Sequence, residues 1–249
     1  MRKTSVVITT VLLLSFFYSF SKMKAPHHTF ETNSSSKLTL TDSLSSSKVL
    51  SSTEELYKQI NFDGHEILNF DIFEKAFRGF DKLKSEGHLP KESRYLTVCD
   101  FSQSSNKKRL WVIDMLQNKV VYNTLVSHGK GTGEEFAEKF SNIEGSHQSS
   151  LGFYVTETTY NGSNGYSLKL EGKDLGYNDA AMERAIVMHG ADYVSEDFAK
   201  QHKRIGRSWG CPAVSREVAV EMIDLIKGKN CLFIYYPDQE YLNTSKWLS

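Results

Sequence analysis

Three cysteines are few for a chain of 249 residues, and as an odd number they cannot all pair with one another within it. No Cys-x-x-Cys pair occurs and no two histidines stand four apart, so zinc spacings are missing although His128, His147, His189, His202 and Cys211 are all available. Zinc is not expected on this spacing. An excess charge of one sign is missing too. Thirty Lys and Arg against 30 Asp and Glu leave a formal net charge of zero with the basic residues scattered, which excludes the electrostatic footprint of a nucleic-acid binder. Gly129-Lys130-Gly131-Thr132-Gly133 lacks the Gly-Lys-Ser/Thr ending of a phosphate loop, so nucleotide binding is not expected. There is no internal repeat.

Long apolar runs are confined to the N-terminus, where Arg2 and Lys3 precede an uncharged stretch from Thr4 to Ser21 rich in Val, Leu, Ile and Phe. This reads as an export signal, and residues 1–23 are either a signal peptide or an N-terminal anchor, since no good small-x-small cleavage site follows Phe20. No cysteine follows the run before Cys99, which disfavours a lipid-anchored lipoprotein. Residues 24–52 are Ser/Thr-rich with few large apolar side chains, a composition that cannot offset the entropy of ordering, so a disordered linker is expected there. Sequons stand at Asn33, Asn161 and Asn243.

A helical segment is expected over 53–92. Thr53 can cap a short helix to about Ile60, and Phe70, Phe73, Phe77, Phe80 and Leu83, at steps of three and four, predict a second that Gly87 and Pro90 end. A single larger domain is placed at 93–249. Segments Arg94–Phe101, Arg109–Met115 and Lys119–Ser127, separated by turn-like breaks, read as an antiparallel meander. Gly129–Ser150 reads as a long loop of the kind compact domains keep for function. Strands are expected at Gly152–Thr158 and Tyr166–Leu170 about a turn-rich linker, with a short helix over Asn178–Glu183 and an apolar strand at Ala185–Met188 that ends on His189. Ser195 and Ser215 start two further helices, and Cys231–Tyr236 is the last strand, expected to close the sheet. Cys99 and Cys231 look like small buried hydrophobes, with a disulfide between them open in an oxidising compartment.

That leaves Cys211, set between Gly210 and Pro212 in a turn. A thiol becomes a nucleophile when an imidazole, a cation or oriented N–H groups favour its thiolate, and a Gly-Cys-Pro turn presents N–H donors without obstruction. A structural cysteine is the alternative. His189, 22 positions earlier, is the candidate base, and the N–H groups of Trp209, Gly210 and Cys211 could hold an oxyanion. Arg207 and Arg184 flank the two halves and could each grip a substrate carboxylate, or simply pair with a nearby acid. Glu144-Gly145-Ser146-His147-Gln148-Ser149-Ser150 could line the mouth of a cleft, or be a solvated loop.

His189-Gly190 followed by Ser208-x-Gly210-Cys211 resembles the signature of the L,D-transpeptidase catalytic domain. The murein L,D-transpeptidase branch with Gly-Cys-Pro-Ala is nearest, since Ser146–Tyr154 and Arg184–Ala191 are similar to it as well. The resemblance covers roughly Arg94 to Tyr236. It implies a mainly β domain with peripheral helices, a β-sandwich in which Cys211 attacks the carbonyl between an L-centre and the following D-residue of a peptidoglycan stem peptide. His189 is then the base, Ser208 a supporting residue and the backbone at Gly210 the oxyanion hole. Arg207, Trp209, His147, Gln148, Ser149 and Gly190 fall at substrate-binding positions. The resemblance implies no metal or organic cofactor. The partners implied are donor and acceptor stem peptides in the envelope of a bacterium, reached by an exported chain whose N-terminal apolar segment is either removed or kept as a membrane tether. Trp209 stands where the wider family commonly has His, Ala213 where it has a polar residue, and the stretch between base and nucleophile is longer than usual. Hydrolysis of the same acyl-enzyme, by an L,D-carboxypeptidase or amidase, and a non-catalytic wall-binding module are the competing readings.

Overall fold

The strands that are apolar on both faces settle the architecture. In the computed structural model, which describes residues 52–249, β1 (Tyr95–Asp100), β2 (Leu110–Asp114) and β8 (Cys231–Tyr235) are buried along nearly their whole length, with no in–out alternation. Such strands need cover on both faces. The signal or anchor, the linker up to residue 51 and the sequon at Asn33 lie outside the described residues. Among the described residues no helix is long and apolar enough to cross a membrane.

β1, β2 and β3 (Lys119–Thr124) form the expected antiparallel meander, with Leu96 opposite Ile113 and Val112 opposite Tyr122. They continue through β8 to β4 (Gly152–Gly162), β5 (Gly165–Gly172), β6 (Val187–Gly190) and β7 (Ala213–Val214), in the order β3-β2-β1-β8-β4-β5-β6-β7. The sandwich is realised as one sheet curled on itself. Ser127, just beyond β3, bridges Ala213 in β7 at the opposite end, its N–H donating to the Ala213 carbonyl at 2.8 Å. The last strand does not close this sheet. β8 lies at its centre, parallel to β1 and antiparallel to β4, because only an interior position buries both faces of Cys231-Leu232-Phe233-Ile234.

Cys99 and Cys231 are free thiols. Cys231 is level with Leu96 on the neighbouring strand, three residues short of Cys99, a gap of about 10 Å at the rise of a strand and too long for a disulfide. The turn-rich linker at 161–165 is a hairpin instead: β4 and β5 run on until Gly162 pairs with Gly165 around Ser163-Asn164. The short helix expected at Asn178–Glu183 is a series of turns from Leu175 to Ala185. Asn178 is fully buried and uses its side chain to accept from the Asp174 N–H (2.8 Å) and donate to the Phe153 carbonyl (3.0 Å), competing with the helical pattern.

Helix α1 spans residues 52–59 and so takes Thr53 inside it, not at its cap. Helix α2 (Phe70–Ser85) is capped by Asn69, whose side chain accepts from the Asp71 N–H at 2.8 Å. Its buried stripe is Ile72, Phe73, Ala76, Phe80 and Leu83, while Phe70 and Phe77 sit at the margin. The helix lies on β1 and β8. Gly79 makes the close approach, since a Cβ there would stand 2.1 Å from the ring of Phe153. Leu68, Phe73 and Phe80 share one buried cluster with Leu96, Phe153 and Phe233. α3 (Glu196–His202) is capped by Ser195, and α4 (Arg216–Ile226) packs on β5 and β6. A further short helix, α5 (Gln239–Thr244), was not expected; Tyr241 and Trp247 tuck the chain end against Asp174 and the Lys173 carbonyl.

Candidate active site

β6 is held from both sides. Ser167 of β5 is opposite His189 on one flank and Ala213 of β7 on the other, so the backbone of His189 is fixed by its neighbours. The imidazole is 4% exposed, and its Nδ1 lies 3.1 Å from the Gly190 carbonyl. That oxygen can only accept, so Nδ1 carries the proton and Nε2 is left with a lone pair. Burial, with a contribution from the Arg216 cation, holds the ring below its ordinary pKa of 6.5, and it is neutral at pH 7. Gly190 itself is buried under α4, where a Cβ would meet that of Ala219 at 2.8 Å. Expected at the substrate, it offers a ligand no surface.

Cys211 sits where a short polar network tightens the chain ahead of β7. The Ser208 hydroxyl donates to the Cys211 carbonyl (2.6 Å) and accepts from the Gly210 N–H (3.1 Å). Gly210 has φ +121°, and a Cβ there would come within 2.7 Å of the Gln148 carbonyl oxygen, so the turn requires glycine. Ser149, fully buried, accepts from the Gly129 N–H and donates to the Gly210 carbonyl, both at 3.1 Å. Its hydroxyl therefore serves the turn. Two non-glycine residues with positive φ, His147 and Ala185, border the same spot; such strain persists where the surroundings over-determine it.

The Cys211 sulfur is partly exposed, lying 3.5 Å from the Val187 N–H and 3.8 Å from the Ala185 carbonyl. Burial pushes its thiol above the ordinary value of 9.0, while the Val187 N–H and the Arg184 cation pull the other way. No hydrogen bond joins it to His189. The sulfur is at the level of Val187, two residues before His189 on β6, or about 6.6 Å along a strand. Of the three N–H groups considered for an oxyanion, that of Gly210 is taken by Ser208, and those of Trp209 and Cys211 have no partner among the described residues.

Both arginines are otherwise engaged. Arg207 pairs with Glu134 (2.7 Å) and donates to the Gly133 carbonyl (2.9 Å), which is the acid pairing and not a free carboxylate grip. Arg184 clasps the 141–150 loop, donating to the carbonyls of Ser141 and Gln148 (2.7 Å each) and to the Ser150 hydroxyl. Gln148 thus contributes its backbone to the frame. His147 stacks on Trp209, ring centroids 5.0 Å apart, and Trp209 is 70% exposed. A separate cleft of about 640 Å³, lined by Tyr122, Leu125, Asp192, Ser195 and Arg216 among others, includes none of Ser208–Cys211.

Sequence reasoning missed the group beneath the turn. Arg109 is fully buried and donates to the carbonyls of Gln103 (2.7 Å) and Val126 (3.1 Å) and, at 2.7 Å, to Nδ1 of His128. Burial and the neighbouring guanidinium push His128 down to about 3, so it is neutral and fit to accept that bond. The His128 carbonyl in turn accepts from the Ser208 N–H at 3.0 Å. Nothing in the sequence pattern marks an arginine at a strand start for this task.

The sequence profile of the L,D-transpeptidase catalytic domain matches residues 64–235. This chain belongs to that family. Among solved structures, the chain is similar to an L,D-transpeptidase from Mycobacterium smegmatis (12% identity over 57% of this chain and 59% of that one, TM-score 0.35). It is also similar to an L,D-transpeptidase from Stackebrandtia nassauensis (10% identity, 77% and 80% covered, TM-score 0.36). A third is the helical cell shape determining protein of Campylobacter jejuni (15% identity, 66% and 57% covered, TM-score 0.36). The chain spans less than two thirds of the length of the mycobacterial and Campylobacter proteins. No curated protein matches it.

Proposed function

We propose that this family member is an exported cysteine L,D-transpeptidase that cross-links peptidoglycan stem peptides. One observation carries the reading: of three cysteines only Cys211 reaches the surface, and it does so between two unpartnered N–H donors and a strand bearing a neutral histidine. In the donor step the Cys211 proton passes to Nε2 of His189 as the sulfur attacks the carbonyl between the L-centre and the D-residue. The N–H groups of Trp209 and Cys211 receive the oxyanion. Collapse breaks the C–N bond, His189 returns the proton to the departing amine, and a thioester remains. An amine of a second stem peptide, deprotonated by His189, then displaces the sulfur and restores the thiol. The N-terminal apolar segment supports export to the cell envelope.

Incubating the purified protein with muropeptides tests the reading. Cross-linked dimers with release of the terminal D-residue are expected; tripeptides without dimers would instead establish hydrolysis of the acyl-enzyme. A pH dependence follows from the site. With the thiol above 9.0 and the imidazole below 6.5, both are neutral in the resting enzyme near pH 7, and thiolate accumulates only on the alkaline side. Alkylation of Cys211 by iodoacetamide should climb steadily from pH 7 and pass its midpoint above pH 9. A rate that levels off by pH 8 would mean a pre-formed thiolate–imidazolium pair.

A further inference from the structure

We infer that Trp209 is a stacking platform for the sugar ring that carries the stem peptide, so that the site reads glycan together with peptide; this rests on the peptidoglycan reading above. Of the three tryptophans, Trp111 and Trp247 are 1% exposed and Trp209 is 70% exposed. Its plane is set and not free to tumble. His147 lies against it at an interplanar angle of 17°, and the Gly131 N–H donates to the His147 carbonyl at 2.9 Å, tying that residue to the loop. The Lys130 ammonium stands 5.5 Å from the indole centroid and has no acid partner among the described residues. The outcome is a rigid, exposed aromatic ring two residues from the nucleophile, with the Lys130 ammonium over it.

The chemistry of that face selects its ligand. A stem peptide offers methyl groups, carboxylates and an amine, none of which has a flat apolar surface of indole size. The pyranose ring at its N-terminal end does: its axial C–H bonds make one face apolar, and they lie against the negative face of an aromatic ring. The ring hydroxyls and acetamido oxygen at its margin suit an ammonium donor such as Lys130. The reach is also right. A carbonyl three residues into the stem lies about 10 Å from the sugar, and the Cα atoms of Trp209 and Cys211 are at most about 7 Å apart, a gap the length of an indole side chain closes.

Binding to the Cys211→Ser protein, which cannot form the thioester, separates recognition from chemistry. A disaccharide-tetrapeptide should shift tryptophan emission to the blue, a signal that Trp209 alone is exposed enough to give. It should also bind roughly tenfold tighter than the free tetrapeptide, the ratio that about 1.4 kcal/mol of stacking produces. Adding Trp209→Ala should bring the two ligands to equal affinity by calorimetry, and Trp209→Phe should keep most of the preference. Equal affinities before that change, including no binding of either ligand, or a preference that survives Trp209→Ala, overturns the platform. Acyl-adduct formation on unmutated Cys211 is scored separately by mass spectrometry. An adduct from the free tetrapeptide with no glycan preference rejects the platform and leaves the cysteine chemistry standing. No adduct from either ligand rejects both.

Discussion

Cys211→Ala is expected to remove cross-linking and acyl-adduct formation together, with turnover falling by roughly 10⁴-fold or more, as when the nucleophile of a covalent mechanism is lost. The fold should not notice. The sulfur makes two weak polar contacts, to the Val187 N–H and the Ala185 carbonyl, and the side chain is partly exposed at the margin of the core. Cys99 and Cys231 cannot substitute, because both are fully buried in the sheet and burial pushes the Cys99 thiol up to about 12 and that of Cys231 higher still. Mass spectrometry after exposure to a carbapenem should therefore show one adduct on the wild type and none on the variant, at an unchanged melting temperature. Cross-linking that persists in Cys211→Ala would rule out Cys211 as the nucleophile, whereas no adduct on the folded wild type would point to a wall-binding module.

Arg109→Met should cost about 3 to 4 kcal/mol of stability, a fall in melting temperature of roughly 6–16 °C for a domain of this size. Methionine approximates the volume, so the loss is mainly polar. The carbonyls of Gln103 and Val126 and Nδ1 of His128 lose their donor in a place water does not reach, and each orphaned acceptor costs about 1–3 kcal/mol. Removing a guanidinium that has no hydrogen-bonded carboxylate offsets part of this; burial already holds Arg109 down to about 10. The substitution should also slow acylation at temperatures where the protein stays folded, because His128 holds Ser208 and Ser208 holds the Cys211 turn. Calorimetry that finds less than 1 kcal/mol of destabilisation would show that the network does not support the site.

The parts of the site readable in the sequence were those whose signal is local. Gly210 before Cys211 announces a backbone conformation that other residues resist, and an apolar run ending in His189-Gly190 announces an imidazole on a buried strand. The α2 stripe and the β1–β3 meander were legible for the same reason, since periods of 3.6 and 2 are written in consecutive residues. Arg184 and Arg207 were legible as cations near the site but not as clamps on the 130–150 loop, because their acceptors are backbone carbonyls, which every residue has.

The sequence by itself determined which residues are the candidates for chemistry: an odd cysteine in a glycine turn and a histidine at a strand end, with an apolar N-terminal run and no metal spacing. Tertiary structure decided which strands are neighbours, and that choice lies in pairings between distant segments. It put β8 at the centre of the sheet and Cys231 three rungs from Cys99. By pairing β7 with β6 and bridging Ser127 to Ala213, it carried Cys211 to the strand of His189 and tied the Ser208 turn through His128 to a buried arginine. The reason is that local preference depends on neighbours along the chain, whereas burial of a strand apolar on both faces is satisfied only by what the rest of the chain places on either side.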